Sequence, residues 1–373
     1  MTTDHPLIRP QPGVLQVAPY QGGDSALSGR DAVLKLSSNE NPAGPSPRAI
    51  AAFRAAAGDL ALYPDGGQDA LRAAIAGVYG LDPAHIVGGA GSDELISLLC
   101  HAYAGPGDEV VHSAHGFAMY AISARTAGAT PVAVPEDARR ADLGAMLAAC
   151  TERTRLVFLA NPNNPTGTMV PPEEIAELAA GLPPAALLVL DSAYAEYVAG
   201  YDGGAALVEA RDNVVMLRTF SKIHGIAALR VGWAYAPGHV IAVLQRMRGP
   251  FNVSLPGLAA AQAAIEDTGW VAQCVAENAR WRGWLADALV AAGVASDPSE
   301  GNFVLARFAD AAEARACDAA LRAAGIIVRG MAGYGLPQAL RITVGDEAAC
   351  HRVAQAVQAF RAAPAAAVAG SAT

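Results

Sequence analysis

The sequence predicts an α/β protein: a mostly parallel central sheet with helices on both faces, followed by a smaller α+β C-terminal domain. Three observations lead there. From about Ser46 to Pro250, short apolar runs alternate with helix-compatible segments, the order expected of parallel strands joined by crossover helices. After Pro250 the texture changes to Ala-rich helical sequence with only a few short strands. At 373 residues, 53% of them hydrophobic, the chain is longer than one hydrophobic core ordinarily serves, so two domains are expected.

Taken in order, residues 1–45 are rich in Pro, Gly and Gln and are expected to form an arm laid over the small domain or a neighbouring subunit. Residues 46–250 form the expected large domain. Ala49 to Ala57 and Asp69 to Tyr79 have helical periodicity, and Ile86-Val87 is a short strand leading into Gly88-Gly89-Ala90-Gly91. Ser92-Asp93-Glu94 then opens a helix through His101. Further strands are expected at Glu109 to His112, Thr130 to Val134, Leu156 to Ala160, Ala186 to Leu190, Val214 to Leu217 and Val231 to Tyr235. Residues 251–362 form the expected small domain, with one long helical pattern from Pro256 to Ala291, a strand at Asn302 to Phe308 and a helix at Asp310 to Ala324. Short strands at Ile326 to Val328 and Leu340 to Val344 complete it. The Ala/Gly/Ser-rich tail, 363–373, is expected to fray.

Composition narrows the partners. A net charge of -9 without a long basic block disfavours nucleic acid and anionic membranes, leaving a small molecule as the expected ligand. No apolar stretch approaches the roughly 20 residues of a membrane span, and the N-terminus lacks the apolar core of a targeting signal. Five scattered cysteines, never C-x-x-C, suit a reducing cytoplasm better than a disulfide framework or a zinc site. His112, His115 and His224 lack metal-ligand spacing, so no metal is expected. Gly89-x-Gly91 has Glu94 at the third glycine position of a dinucleotide fingerprint, which argues against nicotinamide binding.

Of the 26 basic residues only Lys35 and Lys222 are lysine. Codon usage alone can produce that bias, yet a lysine kept among arginines can form an imine, which a guanidinium cannot. Lys222 follows the apolar run Val214 to Leu217, and ligands of open parallel sheets bind beyond such strand ends. Asn161 to Gly167 follows Leu156 to Ala160, Asp191-Ser192-Ala193-Tyr194 follows Ala186 to Leu190, and a glycine turn ending at Ser92 follows Ile86-Val87. A carboxylate, a phenol, an amide, a lysine and a helix N-terminus would thus converge on one rim. That set suits a phosphorylated cofactor with a carbonyl and a basic ring nitrogen, pyridoxal phosphate.

The run NPNNPTG, then DSAY, then FSK with Arg230 eight residues later, resembles aminotransferases of the aspartate aminotransferase fold, fold type I among pyridoxal phosphate enzymes, over almost the whole chain. VAPYQGG around Tyr20, LSSNENPAGPSP at 36–47, Tyr63-Pro64-Asp65, Gly91 to Glu94 and Leu340-Arg341-Ile342-Thr343 are most similar to the histidinol-phosphate aminotransferase branch. The resemblance implies that Lys222 holds the cofactor and moves the substrate's Cα proton, and that Asp191 pairs with the pyridine nitrogen. It implies that Tyr194 and Asn164 bond the ring's phenolic oxygen, that Ser92, Asp93 through its backbone N–H, Ser221 and Arg230 hold the phosphate, and that Phe117 stacks on the ring. Arg341 would clamp the substrate carboxylate, Arg329 would face its distal group, Tyr20 would close over it, and Tyr63 would reach the phosphate of a partner subunit, making the active unit a homodimer.

Without the resemblance, Asp191 also reads as a helix cap, Asn164 as a turn residue, Phe117 as core and Arg329 as a solvated strand-end charge. Phe117 stands where some relatives carry tyrosine, which removes a hydroxyl from the substrate end of the pocket. The implied reaction is imidazole-acetol phosphate plus glutamate giving histidinol phosphate plus 2-oxoglutarate. Aromatic amino acid transamination is the nearest alternative, and decarboxylation of threonine phosphate a third. A non-enzymatic binding module would require lost catalytic residues, yet Lys222, Asp191, Tyr194, Asn164 and Arg341 are all present.

Overall fold

The computed structural model describes residues 10, 13–19, 22–30 and 32–363, so Tyr20 and the tail beyond residue 363 lie outside it. The strands are β1 (Leu34–Lys35), β2 (Ile86–Gly89), β3 (Glu109–Ser113), β4 (Thr130–Val134), β5 (Thr154–Ala160), β6 (Leu187–Asp191), β7 (Val214–Thr219), β8 (Gly232–Tyr235), β9 (Ala295–Ser296), β10 (Phe303–Arg307), β11 (Ile326–Ile327), β12 (Arg329–Gly330) and β13 (Ala339–Thr343). The helices between β1 and β5 are α1 (Pro47–Ala56), α2 (Asp69–Tyr79), α3 (Ser92–Tyr103), α4 (Met119–Thr126) and α5 (Leu143–Ala148). After β5 come α6 (Pro172–Gly181), α7 (Ala205–Ala210), α8 (Gly238–Met247), α9 (Leu255–Glu266), α10 (Thr268–Ala291), α11 (Ala311–Ala323) and α12 (Glu347–Ala362).

The central sheet has the order β2-β8-β7-β6-β5-β3-β4. Neighbours from β7 to β4 pair in parallel, and β8 pairs antiparallel with both β2 and β7. Strands buried on both faces favour apolar residues on both, which is why Leu187 to Leu190 of β6 and Val214 to Leu217 of β7 read as continuous runs. Val214 and Met216 enter one core, Val215 and Leu217 the other, as the two-residue period of a strand demands. Because β2, β5, β6 and β7 run the same way, the residues beyond their carboxyl ends share one rim.

A second, antiparallel sheet of order β12-β13-β10-β9 is covered by α10, α11 and α12 around a separate core. The chain before α1 is built into this part: β1 pairs in parallel with β11, Leu36 is buried in the same core, and the Asn39 N–H donates to Thr343 Oγ1 at 2.9 Å.

Two readings of the sequence are corrected. The long helical pattern from Pro256 divides at Asp267, whose φ of -86° and ψ of 63° break the helix and whose carboxylate accepts from the Trp270 N–H to cap α10. Ile326 to Val328 is not one strand: β11 pairs with β1, and Arg329–Gly330 leaves as β12 to pair with β13. No helix among the described residues is long and apolar enough to cross a membrane.

Candidate active site

Beyond β7 the chain turns through Phe220 to Ser221 and Lys222, placing the lysine side chain over the rim of the sheet. Its Nζ donates to the Ser38 carbonyl at 3.2 Å and lies 5.8 Å from the centroid of the Tyr194 ring. Burial, reinforced by the charges of Arg341 and Arg230 against those of Glu40 and Asp93, pushes this amine down to about 8. Such an amine is available as a neutral nucleophile near neutral pH.

Asp191, the last residue of β6, is buried, and burial pushes its carboxyl up to about 6 against the Tyr120 hydroxyl and the Ala193 N–H that stabilise the charge. Tyr120 Oη donates to Oδ2 at 2.6 Å and Ala193 N–H to Oδ1 at 3.2 Å. Tyr194 stands three residues on, its hydroxyl accepting from Asn39 Nδ2 at 2.9 Å. After β5, Asn164 offers its Oδ1 to Arg341, which leaves the amide N–H₂ free of that contact. Arg341, on β13 and buried, also donates to the Ser37 carbonyl at 2.9 Å.

At the other end of the cavity α3 begins. Gly91 gives its first turn no side-chain cap, so the leading N–H groups remain available to an anion. Glu94 folds back to accept from the Ala90 N–H at 2.6 Å. Arg230 Nη1 donates to Ser221 Oγ at 3.2 Å and Nη2 to Asp93 Oδ2 at 3.1 Å. Glycine is required here twice: Gly91 has φ +84° and a Cβ on it would meet Arg230 Nη2 at 2.4 Å, while one on Gly232 would meet the Ser92 nitrogen at 2.3 Å.

These groups line one cavity of about 270 Å³. Of the residues singled out from sequence, Lys222, Asp191, Tyr194, Asn164, Ser221, Arg230, Ser92, Asp93, Phe117, Arg341 and Arg329 all lie on its wall. Arg329 and Arg341 are direct cross-strand partners on β12 and β13. Two guanidinium groups on one wall of the cavity offer the paired N–H donors that a carboxylate or phosphate accepts from. Tyr63 is not on that wall: it is 81% exposed and stacks on Phe251 at 4.5 Å. Asn39, Tyr120 and Tyr334 line the cavity and escaped the sequence reading. Asn39 lies within the motif LSSNENP, and the structure holds it at φ 57°, a conformation asparagine tolerates better than most residues; Tyr120 carried no local signal.

The pocket fits pyridoxal phosphate. It has a neutral-capable buried amine, a buried carboxylate for a ring N–H, a phenol and an amide for the phenolic oxygen, and a glycine-cleared helix start with a guanidinium for the phosphate.

The profile of the family described as aminotransferase class I and II matches residues 31–357, and the chain belongs to that family. More narrowly, the chain is 62% identical to a histidinol-phosphate aminotransferase of Dinoroseobacter shibae over 95% of its length and 98% of the relative's. It is 55% identical to that of Paracoccus denitrificans over 96% and 97%. Its fold superposes with a TM-score of 0.88 on the histidinol-phosphate aminotransferase of Sinorhizobium meliloti solved with pyridoxal-5'-phosphate, at 30% identity over 96% of this chain and 98% of that one. An aspartate aminotransferase of Thermus thermophilus, 21% identical, shares the fold with a TM-score of 0.78 over 88% and 91%.

Proposed function

We propose that this chain is a cytoplasmic, homodimeric pyridoxal phosphate enzyme that transfers the amino group of L-glutamate to imidazole-acetol phosphate, giving L-histidinol phosphate and 2-oxoglutarate in histidine biosynthesis. The observation that carries the reading is the meeting, in one cavity, of Lys222, Asp191 and the cross-strand pair Arg341 and Arg329. Bound there, pyridoxal phosphate supplies an aldehyde that links covalently to amines and a pyridine ring that withdraws electrons from the carbon next to the amine. Lys222 would anchor it and, with its amine freed, would move the proton at the substrate's Cα. Asp191 accepts the pyridine N–H, and Tyr194 and Asn164 donate to the phenolic oxygen. Ser92, the Asp93 N–H, Ser221 and Arg230 hold the phosphate.

The two substrates differ where the arginines stand. Glutamate carries a carboxylate on the amine-bearing carbon, whereas histidinol phosphate carries a phosphorylated hydroxymethyl group there. Arg341 and Arg329 together serve either anion, since both groups present the paired oxygens a guanidinium fork matches. Arg341→Gln is therefore expected to lower kcat/KM for both substrates by about 10²- to 10³-fold, mostly through KM, measured by initial rates.

The proposed homodimer is supported by the exposure of Leu60, Leu62, Tyr63 and Phe251, the last two stacked on one another, since large apolar side chains left at the surface are what a partner covers. Tyr63 would reach the partner's phosphate site. Complementation tests the function. A histidine auxotroph lacking its own histidinol-phosphate aminotransferase should grow without histidine when it expresses this chain and not when it expresses Lys222→Ala; failure of the unmodified, well-expressed chain to restore growth would contradict the assignment.

A further inference from the structure

Tyr120 is the second residue of α4 and is 1% exposed. Its ring lies flat on Phe158 of β5, with centroids 4.6 Å apart and planes 7° from parallel, and the edge of Phe117 meets it at 5.9 Å and 90°. A phenol clamped this way has one place to put its proton, and that place is Asp191 Oδ2 at 2.6 Å. The Ala193 N–H holds the other carboxylate oxygen at 3.2 Å. Asp93 and Lys222 are the charged groups that act on Asp191, while Tyr194, Tyr334 and the ring of His112 surround Tyr120.

We propose that Tyr120 is a positioning residue for the contact between Asp191 and the cofactor's pyridine nitrogen: its hydroxyl keeps the carboxylate ionised and oriented, so that the shared proton stays on the nitrogen. The inference rests on the proposed function, since it needs the ring nitrogen beside Asp191. Its physical basis is competition for one proton. Burial favours the neutral carboxylic acid, and a carboxylic acid facing the ring leaves the pyridine neutral and a weaker electron acceptor. A charge-assisted O–H donor stabilises only the ionised carboxylate and moves the proton back to nitrogen. A purely structural tyrosine would need the ring stack and not the hydroxyl.

Tyr120→Phe separates the two roles, because it keeps the ring and removes the donor. The holoenzyme is reconstituted with pyridoxal phosphate isotopically labelled at the pyridine nitrogen, and the nitrogen resonance is recorded at neutral pH. In the unmodified enzyme the resonance should lie at the protonated position, and in Tyr120→Phe it should move toward the unprotonated one. In the same variant kcat should fall about tenfold to a hundredfold, the size of a hydrogen bond to a charged group, with KM for glutamate and histidinol phosphate within about twofold. An unmoved resonance with unchanged kcat overturns the proposal. If the phenylalanine variant does not fold, para-aminophenylalanine at position 120, a weaker donor of nearly the same shape, carries the test: displacement of the resonance toward the unprotonated side supports the proposal and coincidence with the parent overturns it. Failure of the unmodified protein to bind pyridoxal phosphate would instead sink the functional assignment, so the two failures are distinguishable.

Discussion

Replacing Lys222 by alanine is expected to reduce turnover by about 10⁴-fold or more, because in the proposed mechanism one side chain both anchors the cofactor and moves the Cα proton. The variant should still bind pyridoxal phosphate through Ser221, Arg230 and the start of α3, without the absorbance of the covalently attached form. Spectra of the reconstituted variant and its initial rates check both statements, and retained full activity would refute the role. The substitution has a second, thermodynamic consequence in the cofactor-free protein. Lys222 sits at about 8 in the folded chain against 10.5 when solvated, so the unfolded chain binds more protons between those pH values. The charged amine therefore costs stability in full below about pH 8, the cost shrinks as pH rises, and it is gone above 10.5. Lys222→Met, which keeps the volume, should raise the stability of the apoprotein at pH 7 by up to about 3 kcal/mol and lose that advantage in alkali, as measured by denaturant unfolding.

Asp191→Asn is expected to lower kcat by about 10²- to 10³-fold, the penalty of taking one partner from a buried charge pair. The amide keeps the shape and remains an acceptor for the Tyr120 hydroxyl, but it brings no charge to hold the ring nitrogen protonated. KM should change far less than kcat, since in the proposed arrangement Asp191 meets the cofactor, and Arg341 and Arg329 meet the substrate. In the cofactor-free protein the carboxyl titrates at about 6 against 3.8 for the solvated group, so ionising it costs stability progressively across that interval and fully above it. Asp191→Asn should consequently stabilise the apoprotein at pH 7 while disabling the holoenzyme, a combination that a merely structural aspartate would not produce. Rates and unfolding curves measured on the same preparation decide it.

How much of this was legible in the sequence depended on how local the information was. α2 and β4 were read with the ends the structure gives them, because Asp69 to Tyr79 and Thr130 to Val134 each carry an unbroken period and a clear stop. The parallel centre of the sheet followed from apolar runs too continuous for strands with a solvent face. Asn164, Asp191 and Lys222 stood out because each follows such a run closely, where an open parallel sheet binds ligands. The break at Asp267 was missed because alanine fits the helical pattern on both sides of it. The division of Ile326 to Val328 from Arg329 depended on which strand each segment pairs with, and β1, more than 280 residues earlier, has only two residues to announce itself. Asn39 and Tyr120 act on Tyr194 and Asp191 across 155 and 71 residues, a relation no periodicity encodes. Arg218 was missed for the same reason: it is 2% exposed on β7, paired with Glu196 at 3.0 Å and lying 4.7 Å from the Tyr79 ring centroid, in a strand otherwise read as apolar.

The most direct test of the account is a half-reaction. Purified holoenzyme is mixed in separate experiments with histidinol phosphate, phenylalanine and threonine phosphate, while the cofactor's absorbance is followed and the products are identified. Rapid conversion to the pyridoxamine form with histidinol phosphate, releasing imidazole-acetol phosphate, is the predicted result. Conversion by phenylalanine in preference, or carbon dioxide released from threonine phosphate, would contradict it.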